Sequence, residues 1–142
     1  MKIILVFKTH FDIGFTDLAS NVIDQYAGSM LEQVIETCKG TQKLGKRHFV
    51  WTMPAWPLWH IVNHSEPSLK KELDELIENG QVVWHALPFT SHTDFATPGE
   101  YLRGFTYSRL LAERYRKPCP IAAKMTDVPG HSVMLPDLLS QA

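Results

Sequence analysis

Ile3-Ile4-Leu5-Val6-Phe7-Lys8-Thr9-His10-Phe11-Asp12-Ile13-Gly14 decides how this chain is read. The apolar run at residues 3–7, rich in β-branched side chains, has the pattern of a buried strand. In an extended chain alternate residues share a face, so His10 and Asp12 leave the strand end pointing the same way. An imidazole and a carboxylate at that spacing suit a divalent cation such as zinc. A second apolar stretch, residues 121–125, runs into Thr126-Asp127-Val128-Pro129-Gly130-His131-Ser132. Asp127 at that strand end can supply a further oxygen, and the two segments read as halves of one metal site that still needs more ligands.

Between these segments, helical and extended patterns alternate. Residues 17–38 carry Ile23, Ala27, Leu31, Val34 and Cys38 on one helical face, with Gly40 as a stop. A short strand is predicted over 47–52, followed by an aromatic, irregular segment with Pro54, Trp56, Pro57 and Trp59 and one helical turn. Ser65 is a candidate cap for a helix with Pro67 in its first turn and Leu69, Leu73, Leu76 and Ile77 as its apolar stripe, ending at Asn79-Gly80. Residues 81–87 form a third strand. Thr97-Pro98-Gly99-Glu100 has capping-box spacing and opens a helix to about Tyr115, which Pro118 and Pro120 terminate. Residues 121–125 are a fourth strand, and Leu135 begins a last helix.

Strands separated by helices imply parallel pairing through crossovers, so the class is α/β. Ligand sites in such sheets lie at the carboxyl ends of the strands, where His10, Asp12 and Asp127 fall. One domain over residues 1–142 is the default count. Its final helix looks unfinished at Ala142, which suggests a piece of a longer barrel.

Composition narrows the function classes. Of 142 residues 44% are hydrophobic, enough for a core, and Lys plus Arg number 14 against 15 Asp plus Glu. No field of one sign favours nucleic acid or an anionic membrane surface. The apolar start is too short for a signal peptide, and His10 and Asp12 stand where small cleavage-site residues would be. Cys38 and Cys119 are too few for a disulfide framework or a thiolate zinc site, which favours a reducing compartment, the cytoplasm.

His10-Phe11-Asp12-Ile13-Gly14-Phe15 and Asp127-Val128-Pro129-Gly130-His131-Ser132, in that order, resemble the two signature segments of the amino-terminal catalytic domain of the glycoside hydrolase family 38 α-mannosidases. The resemblance spans essentially the whole chain. It implies a partial seven-stranded (β/α) barrel of the glycoside hydrolase/deacetylase type, with mainly parallel strands. It further implies a zinc-dependent retaining glycosidase in which His10, Asp12 and Asp127 hold one Zn2+ and Asp127 is also the nucleophile, acting on terminal α-linked mannose or a related sugar. A zinc-bound carboxylate stays ionised at neutral pH, as attack on an anomeric carbon requires. Ile13 and Phe15 replace the proline and tryptophan usual around the first glycine, which makes a smaller sugar platform. The family's acid/base carboxyl and a further zinc-binding histidine come from segments beyond the equivalent of Ala142. The acid/base is therefore unassigned, the remainder of the catalytic chain is an expected partner, and these residues alone are expected to turn over little substrate.

Other residues carry a functional and a plainer reading. Phe15, beside the metal segment, and His92, Asp94 and His131, on strand exits, are candidate substrate contacts. Loop polarity is the plainer account of His92 and Asp94, and loop organisation that of His131 and Ser132. Trp51, Trp56, Trp59 and Trp84 are expected in the core rather than against sugar. Two alternatives remain: a metal-dependent carbohydrate deacetylase, and a non-catalytic barrel piece that binds sugar or metal.

Overall fold

Glycine 28 divides the first helical stretch. The computed structural model describes residues 1–44 and 49–142, and Arg47 and His48 of the predicted second strand lie outside the described residues. Where one helix is predicted over 17–38, there are two: α1 (Ala19–Ala27) and α2 (Ser29–Thr41), with Gly28 at φ −112° and ψ −105° between them. Glycine is the residue whose backbone enters such a conformation at low steric cost. The chain folds into two compact units, Met1–Met53 with His60–Val83, and Pro54–Trp59 with Trp84–Ala142.

The first unit is built on a small sheet. Strands β1 (Phe7–Lys8), β2 (Trp51–Met53) and β3 (Val82–Trp84) lie in the order β1-β2-β3, and β1 pairs parallel to β2 with Phe7 opposite Trp51. The protein is thus mixed α/β, with strands much shorter than expected. Residues 3–6, predicted as buried strand, are exposed by 62% or more. The stretch lies before β1, whose pairing with β2 is limited to Phe7 and Lys8, so no strand ladder runs along residues 3–6. Buried Leu31 and Cys38 of α2, and Leu73 and Ile77 of α4 (Pro67–Asn79), are wholly inaccessible and form the core of this unit with Met53 and Val82. Each such aliphatic side chain contributes about 1.5–3 kcal/mol by leaving water.

Helix α4 ends as its sequence dictates. Gly80 takes φ +79°, and its N–H closes onto the Leu76 and Ile77 carbonyls. The next residue, Gln81, is buried and fully engaged. Its Nε2 donates to the Cys38 carbonyl at 3.2 Å, its Oε1 accepts from Gln42 and Asn79, and its own carbonyl accepts from the Trp51 N–H at 2.8 Å. A buried amide so satisfied locks the ends of α2 and α4 to the sheet register. Ser65, predicted as the cap of α4, instead donates to the Ala27 carbonyl, and Glu66 holds the cap position without a side-chain bond.

The aromatic segment after β2 is a full helix, α3 (Ala55–His64), rather than an irregular stretch with a single turn. Pro57 falls in its first turn, where a missing N–H costs nothing. In the second unit the capping box of Thr97 and Glu100 forms as the spacing predicts and opens α5 (Pro98–Gly104). The predicted single helix breaks there, and α6 (Thr106–Tyr115) follows. A Cβ on Gly104 would lie 2.8 Å from Pro88 Cγ, so only glycine allows this approach. Residues 121–125, predicted as a fourth strand, have no strand ladder; Ala122 is held by one bond from the Ala86 N–H, at 2.9 Å. Helix α7 (Leu135–Gln141) packs Leu135 with Leu87, Tyr101 and Phe105 in this unit's core. Among the described residues no helix is long and apolar enough to cross a membrane.

Candidate functional site

In the first unit, His10 and Asp12 follow β1, and their side chains meet: His10 Nε2 lies 3.0 Å from Asp12 Oδ1. Phe11 between them turns the other way and is buried, edge-on to Tyr26 with ring centroids 4.8 Å apart. Burying this one aromatic ring fixes which face of the extended segment looks inward, and so leaves both polar side chains on the other. The Tyr26 hydroxyl donates to the His10 carbonyl at 2.7 Å and pins the loop. Burial pushes the Tyr26 phenol above its ordinary value; the neighbouring Thr9 side chain pulls it down, and the charge of Asp12 raises it again. The phenol therefore keeps its proton and remains a donor. Sequence reasoning missed Tyr26, whose aromatic position on α1 was legible but whose hydroxyl target was not.

Gly14 then takes φ +74°, with nothing within 4 Å of a built Cβ, so its role is conformational. Phe15, the candidate sugar platform, stands 87% exposed.

A tetrahedral zinc holding a ring nitrogen and a carboxylate oxygen at 2.0–2.2 Å separates those two atoms by about 3.3 Å. The His10 to Asp12 distance is close to that separation, and the donors, one imidazole and one carboxylate, are of the right class. On this observation the pair fits the cation.

Asp127 lies in the second unit, exposed, with φ +62°. It is one of two non-glycine residues described in the left-handed region. Aspartate enters that region more readily than most residues, but at a cost, and such conformations gather at functional positions. Lys124 Nζ donates to the Thr126 hydroxyl at 3.0 Å just before it.

His92 precedes a 3-10 turn, Thr93–Phe95, and Asp94 lies within it; both are exposed. The residue between them, Thr93, is buried, and its hydroxyl accepts from the Ser132 N–H at 2.7 Å. Ser132 Oγ accepts in turn from the Met134 N–H. Thr93 thus ties the turn carrying His92 and Asp94 to the loop carrying His131, which is exposed. Thr93 is a second residue that sequence reasoning missed, because a threonine between two polar residues reads only as loop. The His92 ring lies 5.8 Å from that of Phe95, itself 87% exposed. Of the four tryptophans, Trp51 and Trp84 are buried as expected, and Trp84 Nε1 donates to Ser108 Oγ; Trp56 and Trp59 are only half-buried.

Compared with known protein families, residues 1–142 match the model described as Glycosyl hydrolases family 38 N-terminal domain. The chain belongs to glycosyl hydrolase family 38. The match covers every residue, both signature segments included, and makes this a member of a family of glycoside hydrolases. No match was found among the curated proteins or the solved structures.

Proposed function

We propose that this family 38 chain carries the metal and nucleophile side of a zinc-dependent retaining α-mannosidase, with His10, Asp12 and Asp127 on one zinc ion. The observation that carries the reading is the 3.0 Å approach of His10 to Asp12 in a chain matched by the family along its whole length. The left-handed backbone of Asp127 supports a special role for that carboxylate.

In this reading a carboxylate oxygen of Asp127 attacks the anomeric carbon as the glycosidic C–O bond breaks, and water then cleaves the glycosyl ester with net retention. A bound zinc supplies Lewis acidity and holds the carboxylates ionised. His10 and Asp12 orient the cation, and Phe15, His92, Asp94 and His131 meet the sugar hydroxyls and faces. The group that protonates the leaving oxygen is assigned to no residue of these 142. The strands are read as part of a (β/α) barrel with the site at their carboxyl ends. Two free thiols, Cys38 and Cys119, support a reducing compartment such as the cytoplasm.

Metal analysis tests the ligand set. The wild-type chain binds one zinc, and His10→Ala, Asp12→Ala and Asp127→Ala each weaken binding by at least about 100-fold, since even residues that merely support a ligand are worth 10–100-fold. Unchanged zinc affinity in all three ends the proposal. In the whole enzyme, a fluorinated mannoside that traps the glycosyl ester labels Asp127; a deacetylase stays unlabelled.

A further inference from the structure

The second unit contains a cavity of about 300 Å³ that none of the residues discussed above as metal, nucleophile or substrate candidates lines. Its walls are aromatic: Trp56 and Phe89 meet edge-on at 6.1 Å, and Tyr101 and Tyr107 stand on α5 and α6. Tyr101 is held by its edge contact with Phe105 at 5.7 Å and by its hydroxyl, 3.8 Å from Met125 Sδ. The rim is polar. Arg103 and Glu100, three residues apart on α5, both reach it and both are exposed.

The rim chemistry selects the ligand. Glu100 Oε2 already accepts from the Thr97 N–H and hydroxyl, each at 2.8 Å, and those bonds hold the carboxyl below its ordinary range. Its other oxygen is left to accept from a ligand. Arg103 brings five N–H donors, and no ion pair to it is formed among the described residues. One anion and one cation on the rim leave it with no net charge, so an anionic ligand gains no advantage there. A flat apolar molecule would satisfy the walls and leave the rim groups unused. A ring with apolar C–H faces and a hydroxyl edge uses both, and the volume, at the lower limit for small-molecule sites, admits one such ring.

We propose that this cavity is a second carbohydrate position that takes a single neutral hexopyranose, stacked between the aromatic walls with its hydroxyls on Arg103 and Glu100. It is separate from the metal reading, since none of His10, Asp12 or Asp127 lines it. A position of this kind would grip a sugar unit of an oligosaccharide away from the bond being cut.

Saturation-transfer NMR on the 142-residue chain, with EDTA present, tests it with methyl α-D-mannopyranoside and, in parallel, p-cresol. The sugar's ring protons saturate in wild type and in Asp127→Asn. Arg103→Ala, an exposed change checked by melting, weakens binding about tenfold, as loss of a charged hydrogen bond does. Tyr107→Ala weakens it by a similar factor through loss of stacking. Absence of sugar saturation in wild type overturns the proposal, as does binding that Arg103→Ala leaves unchanged. A signal abolished by Asp127→Asn also overturns it, since the sugar then sits at the metal site. Saturation of p-cresol alone shows an apolar cavity and overturns it too.

Discussion

Asp127 offers a measurement that separates what its backbone costs from what its carboxylate does. At φ +62° it holds a conformation that an ordinary L-residue occupies at about 1–2 kcal/mol. Asp127→Ala and Asp127→Gly remove the same carboxylate, so every interaction of that group is lost equally in both. They differ in the backbone. Alanine bears the left-handed penalty, whereas glycine escapes it but adds about 0.4–1 kcal/mol of freedom to the unfolded chain. The glycine variant is therefore the more stable by about 0.5–1 kcal/mol, or roughly 2–3 °C in melting temperature for a chain of this size. Asp127→Asn, whose side chain tolerates the same region, melts at or above the glycine variant. Zinc affinity falls equally in the alanine and glycine variants. Thermal unfolding followed by circular dichroism, together with urea titration, reads the difference. An alanine variant equal to or more stable than the glycine one would refute the left-handed conformation, and with it the argument that strain marks this position.

Two further outcomes follow from buried and hydrogen-bonded titratable groups. Burial pushes the Cys38 thiol up to about 11, so at pH 8 it is ionised to only roughly 0.1%. A thiol reagent at that pH labels exposed Cys119 in the folded chain and Cys38 only after unfolding; equal labelling rates would show that α2 is not packed as described. Acid should destabilise the chain in two steps. His60 is held below its ordinary value of 6.5, first by burial, then by the neighbouring His64, against an opposing pull from Asp24, and Glu100 is held below 4.5 by its bonds to Thr97. Both folded values are depressed, so each contribution is complete above the unfolded value and is lost as pH falls through the folded one. His60→Gln flattens the stability profile just below pH 6.5, and Glu100→Gln flattens it below pH 4.5. Profiles that parallel wild type in those windows would count against these causes.

Some features were legible because their causes are local. Gly80 after an apolar helical stripe and Thr97 three residues before Glu100 act within one helical turn, and α4 ends and α5 begins there as read. The His10 and Asp12 pairing followed from two-residue alternation alone. Elsewhere the local signal misled. Trp56, Pro57 and Trp59 read as irregular because proline and aromatics disfavour helix interiors, yet α3 forms with Pro57 in its first turn. The runs at 3–7 and 121–125 have strand composition, but a strand needs a partner along its length. β1 finds pairing for two residues, and Ala122 receives a single bond from Ala86.

By itself the sequence determined the family, the order of the two signature segments and the residue types offered to a metal, since these depend only on which side chains occur and how they are spaced. Tertiary structure alone decided that Phe11 buries against Tyr26, that Thr93 carries the Ser132 loop, and that Trp56, Phe89, Tyr101 and Tyr107 enclose a cavity. Those outcomes rest on contacts such as Phe11 with Tyr26, Trp56 with Phe89 and Thr93 with Ser132, between residues 15 to 39 positions apart. No local spacing encodes them, because burial and hydrogen-bond partners exist only once packing has brought distant segments together.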